Sequence, residues 1–196
     1  MAWVAKDKKG KRAYKPGNLL GFKWQRFVRG PDKELVEKLY EPGLKRAVRY
    51  DRCCSYFSSS ALAAAARGYA GLIRRLLQLD KAAPRPAVRL LVNEELAEAD
   101  VQALVERGDA EALAKRLQSR FKNPQDALER ERLSMLAWLL RAGFLEVRVG
   151  VMRQGAGIAH AKYGIMTDER GAAVVFGGSG NETASGLLAN YEQVEV

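Results

Sequence analysis

Short runs rich in β-branched, aromatic or aliphatic residues alternate with longer Ala- and Leu-rich stretches, and no other feature of this chain restricts its fold as much. Residues 47–57 (AVRYDRCCSYF) read as a strand. Ser58, Ser59 and Ser60 then form a cap-like stop before an expected helix over 61–79. Beyond Pro84 and Pro86, residues 87–93 (AVRLLVN) have the short apolar character of a buried strand. Helical patterns follow over 100–117 and from Asn123-Pro124 to Gly143, the second with Leu133, Leu136 and Leu140 on one face. Three further strand-like runs occupy 145–152, 158–166 and 172–176, with 168–171 (DERG) as a hairpin loop, and 191–196 reads as a last strand. An earlier helix is expected from Pro31, capped by Asp32 and carrying Leu35, Leu39 and Leu44, with Pro42 and Gly43 interrupting it. Strands alternating with helices predict an α/β domain: a mixed, mostly parallel sheet flanked by helices.

A length of 196 residues suits one core, and 47% hydrophobic residues argue against wholesale disorder. Charge divides the chain unevenly. Residues 1–29 hold nine Lys or Arg against one acid, Asp7, whereas the other 167 residues hold 24 bases and 22 acids. The expected organisation is therefore a basic arm over 1–30 and one domain over 31–196. The final run stops while still reading as strand, which leaves open that the chain is a piece of a longer protein.

The arm interleaves bases with aromatics. Lys8, Lys9, Lys11, Arg12, Lys15, Trp24 and Arg26 are candidates for nucleic-acid contact, since cations pair with phosphates and rings stack on bases. The alternative is that Phe22, Trp24 and Phe27 cover an edge of the core while the lysines stay solvated. No apolar run reaches the roughly 18 residues of a membrane helix, and the start lacks the apolar core of a signal peptide. Cys53 and Cys54, the only cysteines, are adjacent and ill-placed to bridge each other. A soluble, cytoplasmic protein without a membrane partner is the expectation.

Chemistry concentrates in the last forty residues. In a strand, His160 and Lys162 share a face, which sets an imidazole beside a cation. Gly177-Gly178-Ser179-Gly180-Asn181 follows the next strand; such a turn lets backbone amides approach an anion, and Ser179 and Asn181 add side-chain donors. Asn190 and Glu192 lie on the run after that, where Glu192 can return to the same place. One histidine and two adjacent cysteines are too few for a zinc site, so no metal or other cofactor is expected.

HAK, GGSGNET and NYE resemble the signature of the phospholipase D superfamily: a histidine and lysine two apart, a Gly-Ser-x-Asn turn and a downstream Glu. YFSSSALAAAARGYAGLI followed by VRLLVN is also similar to the start of phospholipase D-like domains at the N-termini of bacterial helicases and of phage-defence and restriction proteins. The likeness covers about residues 35–196 and is densest over 158–192. It implies a metal-independent phosphodiesterase or nuclease in which His160 attacks phosphorus and a second histidine protonates the leaving oxygen. Lys162, Ser179 and Asn181 would hold the phosphoryl oxygens, and Glu192 would orient a histidine. Because the chain has one histidine, the second must come from another copy, hence an expected homodimer. With the basic arm, nucleic acid is the expected substrate, DNA before RNA. The alternative implied is a catalytically weak module for DNA binding or dimerisation, joined to a C-terminal helicase domain in a larger helicase or defence protein. One departure stands out: the full pattern HxKxxxxD would place Asp at 167, where this chain has Thr167, with Asp168 one place late.

Overall fold

The computed structural model describes residues 5–6, 12–13, 18–31, 33–55, 57, 59–79, 85–93, 135, 138–150, 160–181 and 187–196. Their core is a seven-stranded sheet in the order β3(Phe27–Gly30), β9(Glu192–Glu195), β8(Ala173–Gly178), β7(Tyr163–Thr167), β4(Arg49–Cys54), β5(Val88–Asn93), β6(Leu145–Gly150). A separate two-stranded pair joins β1(Ala5–Lys6) to β2(Arg12–Ala13). The expected α/β sheet is mixed as predicted, but its pairing needs correction. Only β4–β5 and β5–β6 are parallel, while β4–β7, β7–β8, β8–β9 and β3–β9 are antiparallel. Five strands still point one way, because β7 and β9 are the two reversed strands, set alternately among β3, β8 and β4. The cause is local: the five residues 168–172 between β7 and β8 leave no room for the helical crossover that parallel neighbours need.

That loop is the predicted DERG hairpin. Asp168 is 2% exposed, and its Oδ1 accepts the N–H groups of Arg170 at 2.9 Å and Ala172 at 3.0 Å. Its Oδ2 accepts the Leu19 N–H at 3.1 Å, tying the N-terminal segment to the hairpin across 149 positions. Gly171, at φ 81°, takes the left-handed position that closes the turn.

The described helices on either side of β4 in sequence share one face of the sheet, where Tyr40 and Tyr69 meet Tyr50. Residues Val36–Tyr40 form a π-helical turn that leads directly into α1(Glu41–Leu44), so the predicted break at Pro42-Gly43 does not occur. The wider turn, in which the Glu41 N–H reaches Val36 O, shifts the register just before a residue that has no N–H to give. Asp32, the predicted cap, lies outside the described residues. The expected helix over 61–79 is two, α2(Ser59–Ala64) and α3(Ala66–Leu79). The predicted helix over 100–117 and most of the next fall outside the described residues. The end of the latter, at Trp138, Leu139 and Leu140, stops where Gly143 turns to φ 69°.

Leu39, Leu44, Leu62 and Leu72 are fully buried against this face of the sheet, each contributing roughly 1.5–3 kcal/mol relative to exposure. Alternation on β4 sends Tyr50, Arg52 and Cys54 to the helix side. There Tyr40, Tyr50, Tyr69 and Phe176 form an aromatic cluster, with Tyr50 and Phe176 stacked at 16° and 6.4 Å between centroids. On the other face Asp51 lies between two guanidinium groups, accepting from Arg89 at 2.6 and 2.9 Å and from Arg49 at 2.9 Å. Partial burial pushes the Asp51 carboxyl up, but the Arg89 hydrogen bond and the charges of Arg49 and Arg89 outweigh it and leave it below the usual carboxylate range.

Two outcomes follow. In Asp168→Asn the amide nitrogen cannot accept the Leu19 or hairpin N–H it then faces, so unfolding in urea should show a loss of about 1–3 kcal/mol. Because the Asp51 carboxyl is lower in the folded chain than in the unfolded one, its contribution is present above the unfolded value and is lost as pH falls through the folded one. Melting followed from about pH 5 to about pH 2 should therefore drop more steeply in the wild type than in Asp51→Asn.

Candidate active site

The direction of the strands decides where the chemistry gathers. β4, β5, β6 and β8 end, and β7 and β9 begin, at one edge of the sheet. His160 and Lys162 immediately precede β7, Ser179 and Asn181 immediately follow β8, and Glu192 opens β9. All five residues picked from the sequence therefore sit at the same edge, outside the carboxyl ends of most strands, where open α/β sheets commonly bind ligands.

Backbone bonds join the three segments. Lys162 O accepts the Gly178 N–H at 3.1 Å, and Gln193 O accepts the Ser179 N–H at 3.2 Å. The glycine run has a role that anion binding alone would not require. A Cβ at Gly178 would lie 2.0 Å from Gln193 O, so the backbone of β9 occupies that space. Gly178 thus admits the strand that brings Glu192 to the site.

The side chains form two hydrogen-bonded sets. In the first, Lys162 Nζ lies 2.9 Å from His160 Nε2 and 3.3 Å from Nδ1. An ammonium group has only donors, so the ring nitrogen facing it accepts. These residues precede the strand instead of lying within it as predicted, yet the two side chains meet. His160 is exposed and Lys162 half-buried.

In the second set the Glu192 carboxylate, 7% exposed, accepts the Ser179 hydroxyl and, at 3.3 Å, the Asn190 side-chain amide. Ser179 Oγ in turn accepts the Gln193 N–H at 3.2 Å. Among the described residues the partner of His160 is Lys162, and the partners of the Glu192 carboxylate are Ser179 and Asn190. In this arrangement Glu192 fixes the turn instead of the imidazole, and the Ser179 hydrogen is given to the protein. Asn181 is half-buried in the same turn.

A buried residue that sequence reasoning missed completes the edge. Arg52, on β4 and 4% exposed, donates from Nη2 to Gly180 O at 2.6 Å. The signal available was a charged residue in the middle of an apolar strand, and period 2 alone places it on the core face with Tyr50 and Cys54.

The arm residues are placed less uniformly. Trp24 is half-buried, its indole N–H donates to Leu19 O at 2.9 Å, and its ring packs on Phe22 at 4.6 Å between centroids. It covers the core, as the alternative reading had it. Arg26 is exposed and pairs with Glu195 at 3.3 Å. Arg12 belongs to β2, and Lys8, Lys9, Lys11 and Lys15 lie outside the described residues. On the far face, a shallow depression whose lining includes Asp51, Arg52, Arg89, Arg148 and Tyr163 holds none of the five candidates, and the guanidinium groups of Arg89 and Arg148 are engaged by Asp51 and Glu146. Among the described residues no cluster of three or more His, Cys, Asp or Glu is placed to hold a metal ion, and no helix is long and apolar enough to cross a membrane.

No family model and no curated protein sequence matches the chain. Among solved structures, NucT from Helicobacter pylori aligns over 86% of this chain and 80% of its own, at 14% identity and a TM-score of 0.41. Yeast tyrosyl-DNA phosphodiesterase aligns over 86% of this chain and 30% of its own, at 12% identity and a TM-score of 0.44.

Gly178→Ala tests how the edge is assembled. Because the obstructing atom is backbone, β9 must move away from β8, and stability should fall by about 1–3 kcal/mol in denaturant unfolding. Amide exchange in β9 should accelerate more than in β5.

Proposed function

We propose that the chain is a metal-independent phosphodiesterase acting on nucleic acid, with His160 as the nucleophile. The observation that carries this reading is the 2.9 Å contact between Lys162 Nζ and His160 Nε2, at the edge where the Gly177–Asn181 turn emerges. An imidazole with an accepting nitrogen and a neighbouring cation is what attack on a phosphodiester monoanion needs.

In the first step a ring nitrogen of His160 bonds to phosphorus and the bond to the leaving oxygen breaks. That oxygen takes a proton from an imidazolium, a contribution of typically 10²–10⁴ in rate. The chain has one histidine, so the acid is the partner subunit's His160 in a two-fold homodimer. In the second step water attacks phosphorus, the partner's His160 takes the water proton, and the P–N bond breaks to free the first imidazole. Lys162 and Asn181 stabilise the charge on the phosphoryl oxygens, while Ser179 and Glu192 hold the turn in shape.

Nucleic acid is favoured as the substrate by the excess of Lys and Arg in residues 1–29, which suits a polyanion and implies salt-sensitive binding. DNA, a cytoplasmic setting and a helicase or defence protein as the parent of this domain belong to the same reading, and the first is addressed by the substrate panel below.

A second reading has its own observation. Asp168 spends both carboxylate oxygens on backbone N–H groups, and Thr167 holds the place of the acid in the fuller motif. A site so altered suits a module that grips phosphodiesters without cleaving them.

The two readings part in one experiment. Bis(p-nitrophenyl) phosphate and single- and double-stranded DNA and RNA are incubated with wild type and His160→Ala in EDTA, with sedimentation in parallel. Cleavage by a dimeric wild type, lost by about 10³-fold or more in the variant, supports the enzyme. Salt-sensitive binding by both proteins with cleavage by neither overturns it in favour of the module.

A further inference from the structure

The turn at residues 177–181 is gripped at consecutive positions by two buried groups of opposite charge. Glu192 takes the hydroxyl of Ser179 from one side. From the other, Arg52 reaches the carbonyl of Gly180 at 2.6 Å, from a strand two places away in the sheet from β8, which the turn follows.

The route of that side chain is built into the sheet. Arg52 on β4 pairs with Gly164 on β7, and Gly164 pairs with Phe176 on β8. Gly164 has no side chain, and the Phe176 ring lies over it: a Cβ there would sit 2.3 Å from the ring. The Arg52 guanidinium lies 5.4 Å from the centroid of the same ring. An arginine, a glycine and a phenylalanine thus follow one another in adjacent strands, and the guanidinium is led across β7 to the turn. Burial of a cation at 4% exposure is costly, and an ordinary core position would carry an aliphatic residue instead.

We propose that Arg52 is a positioning residue of the phosphate-binding turn, acting through Gly180 and offsetting the buried charge of Glu192. This rests on reading the turn as an anion site. Two consequences follow from the bond to Gly180 O. The carbonyl, which would repel an anion, is held inward. The N–H on the same trans peptide, that of Asn181, then points the opposite way, because the two groups of a planar peptide are antiparallel. Charge adds to geometry. Glu192 places a negative group beneath a turn meant for anions, and a guanidinium that stays charged at any working pH offsets it.

The test uses inorganic phosphate as the probe, by titration calorimetry at low ionic strength, on wild type, Arg52→Met and Arg52→Lys, with turnover of bis(p-nitrophenyl) phosphate measured beside it. Arg52→Met should weaken phosphate about tenfold or more while its near-UV spectrum stays native. Arg52→Lys, which keeps the charge, should return affinity to within about threefold of wild type. A residue serving only to fill the core would lower melting temperature in both variants and leave the phosphate affinity of the folded protein unchanged, which overturns the proposal. Should Arg52→Met fail to fold, wild type alone decides: phosphate must shift the amide resonances of Gly180 and Asn181, and unshifted signals overturn it. Wild type that binds phosphate through these amides but cleaves no diester refutes the phosphodiesterase reading and leaves the Arg52 assignment intact. Full turnover and phosphate affinity in Arg52→Met refute the assignment and leave that reading intact.

Discussion

The antiparallel pairing of β7 with β8 is the constraint from which the rest of the candidate site follows. A hairpin brings the residues just before its first strand beside those just after its second, however far apart its loop makes them in sequence. Here the two flanks are His160–Lys162 and Ser179–Asn181, and the closing bond runs from the Gly178 N–H to Lys162 O at 3.1 Å. Once β9 adds antiparallel to β8, its first residue, Glu192, must also lie at that edge. Loss of the hairpin register by one residue would displace Lys162 from this edge geometry, and two of the three backbone N–H groups that Asp168 accepts fix the loop against such a slip.

Packing beneath the sheet and chemistry at its edge share components. Phe176 belongs to the aromatic cluster with Tyr40 and Tyr50, and the same ring lies against the Arg52 guanidinium. Gly164 is an absence in the core that the ring fills, so the two residues act as one unit spanning β7 and β8. A core rearrangement at Phe176 would therefore be felt at Gly180 without any change in a residue that touches substrate. The buried pair Arg52 and Glu192 works as a clamp on the turn because each charged group has a polar partner at a fixed distance, which is the condition under which burying charge is tolerated.

Much of this architecture was legible in the sequence because it depends on short periods. The strands at 87–93, 145–152 and 172–176 were found within a few residues as β5, β6 and β8, since apolar β-branched runs bounded by Gly or Pro have few other uses. The gathering of His160, Lys162, Ser179, Asn181 and Glu192 at one edge followed from a motif whose spacings match a hairpin and one more strand. The pairing of strands was not legible in the same way. It depends on non-local choices such as the insertion of β7 between β4 and β8, which no local pattern specifies. The π turn before Pro42 and the division of the helix at Ala65 are register adjustments made by packing, and propensity is blind to them. Trp24 was ambiguous for a physical reason: an indole suits stacking on a base and covering a core equally well, and the structure shows it half-buried against the core with its N–H on Leu19 O.

The exposure of His160 is informative when set against the burial of everything that supports it. Arg52 and Glu192, which hold the neighbouring turn, are both less than 9% exposed, while the His160 imidazole stands in solvent at the same end of the sheet. A residue whose role ended within its own subunit would gain from being covered, since a dry site strengthens electrostatic interactions. An imidazole held out at a sheet edge, with Lys162 as its partner among the described residues, is arranged to meet something that arrives from outside. In the proposed mechanism substrate alone satisfies half of that requirement, because displacement at phosphorus also needs a proton donor on the leaving side, opposite the nucleophile. In the proposed homodimer a second copy approaching about a two-fold axis would supply that donor from an identical edge, and closure of the pair would remove water from both imidazoles at once.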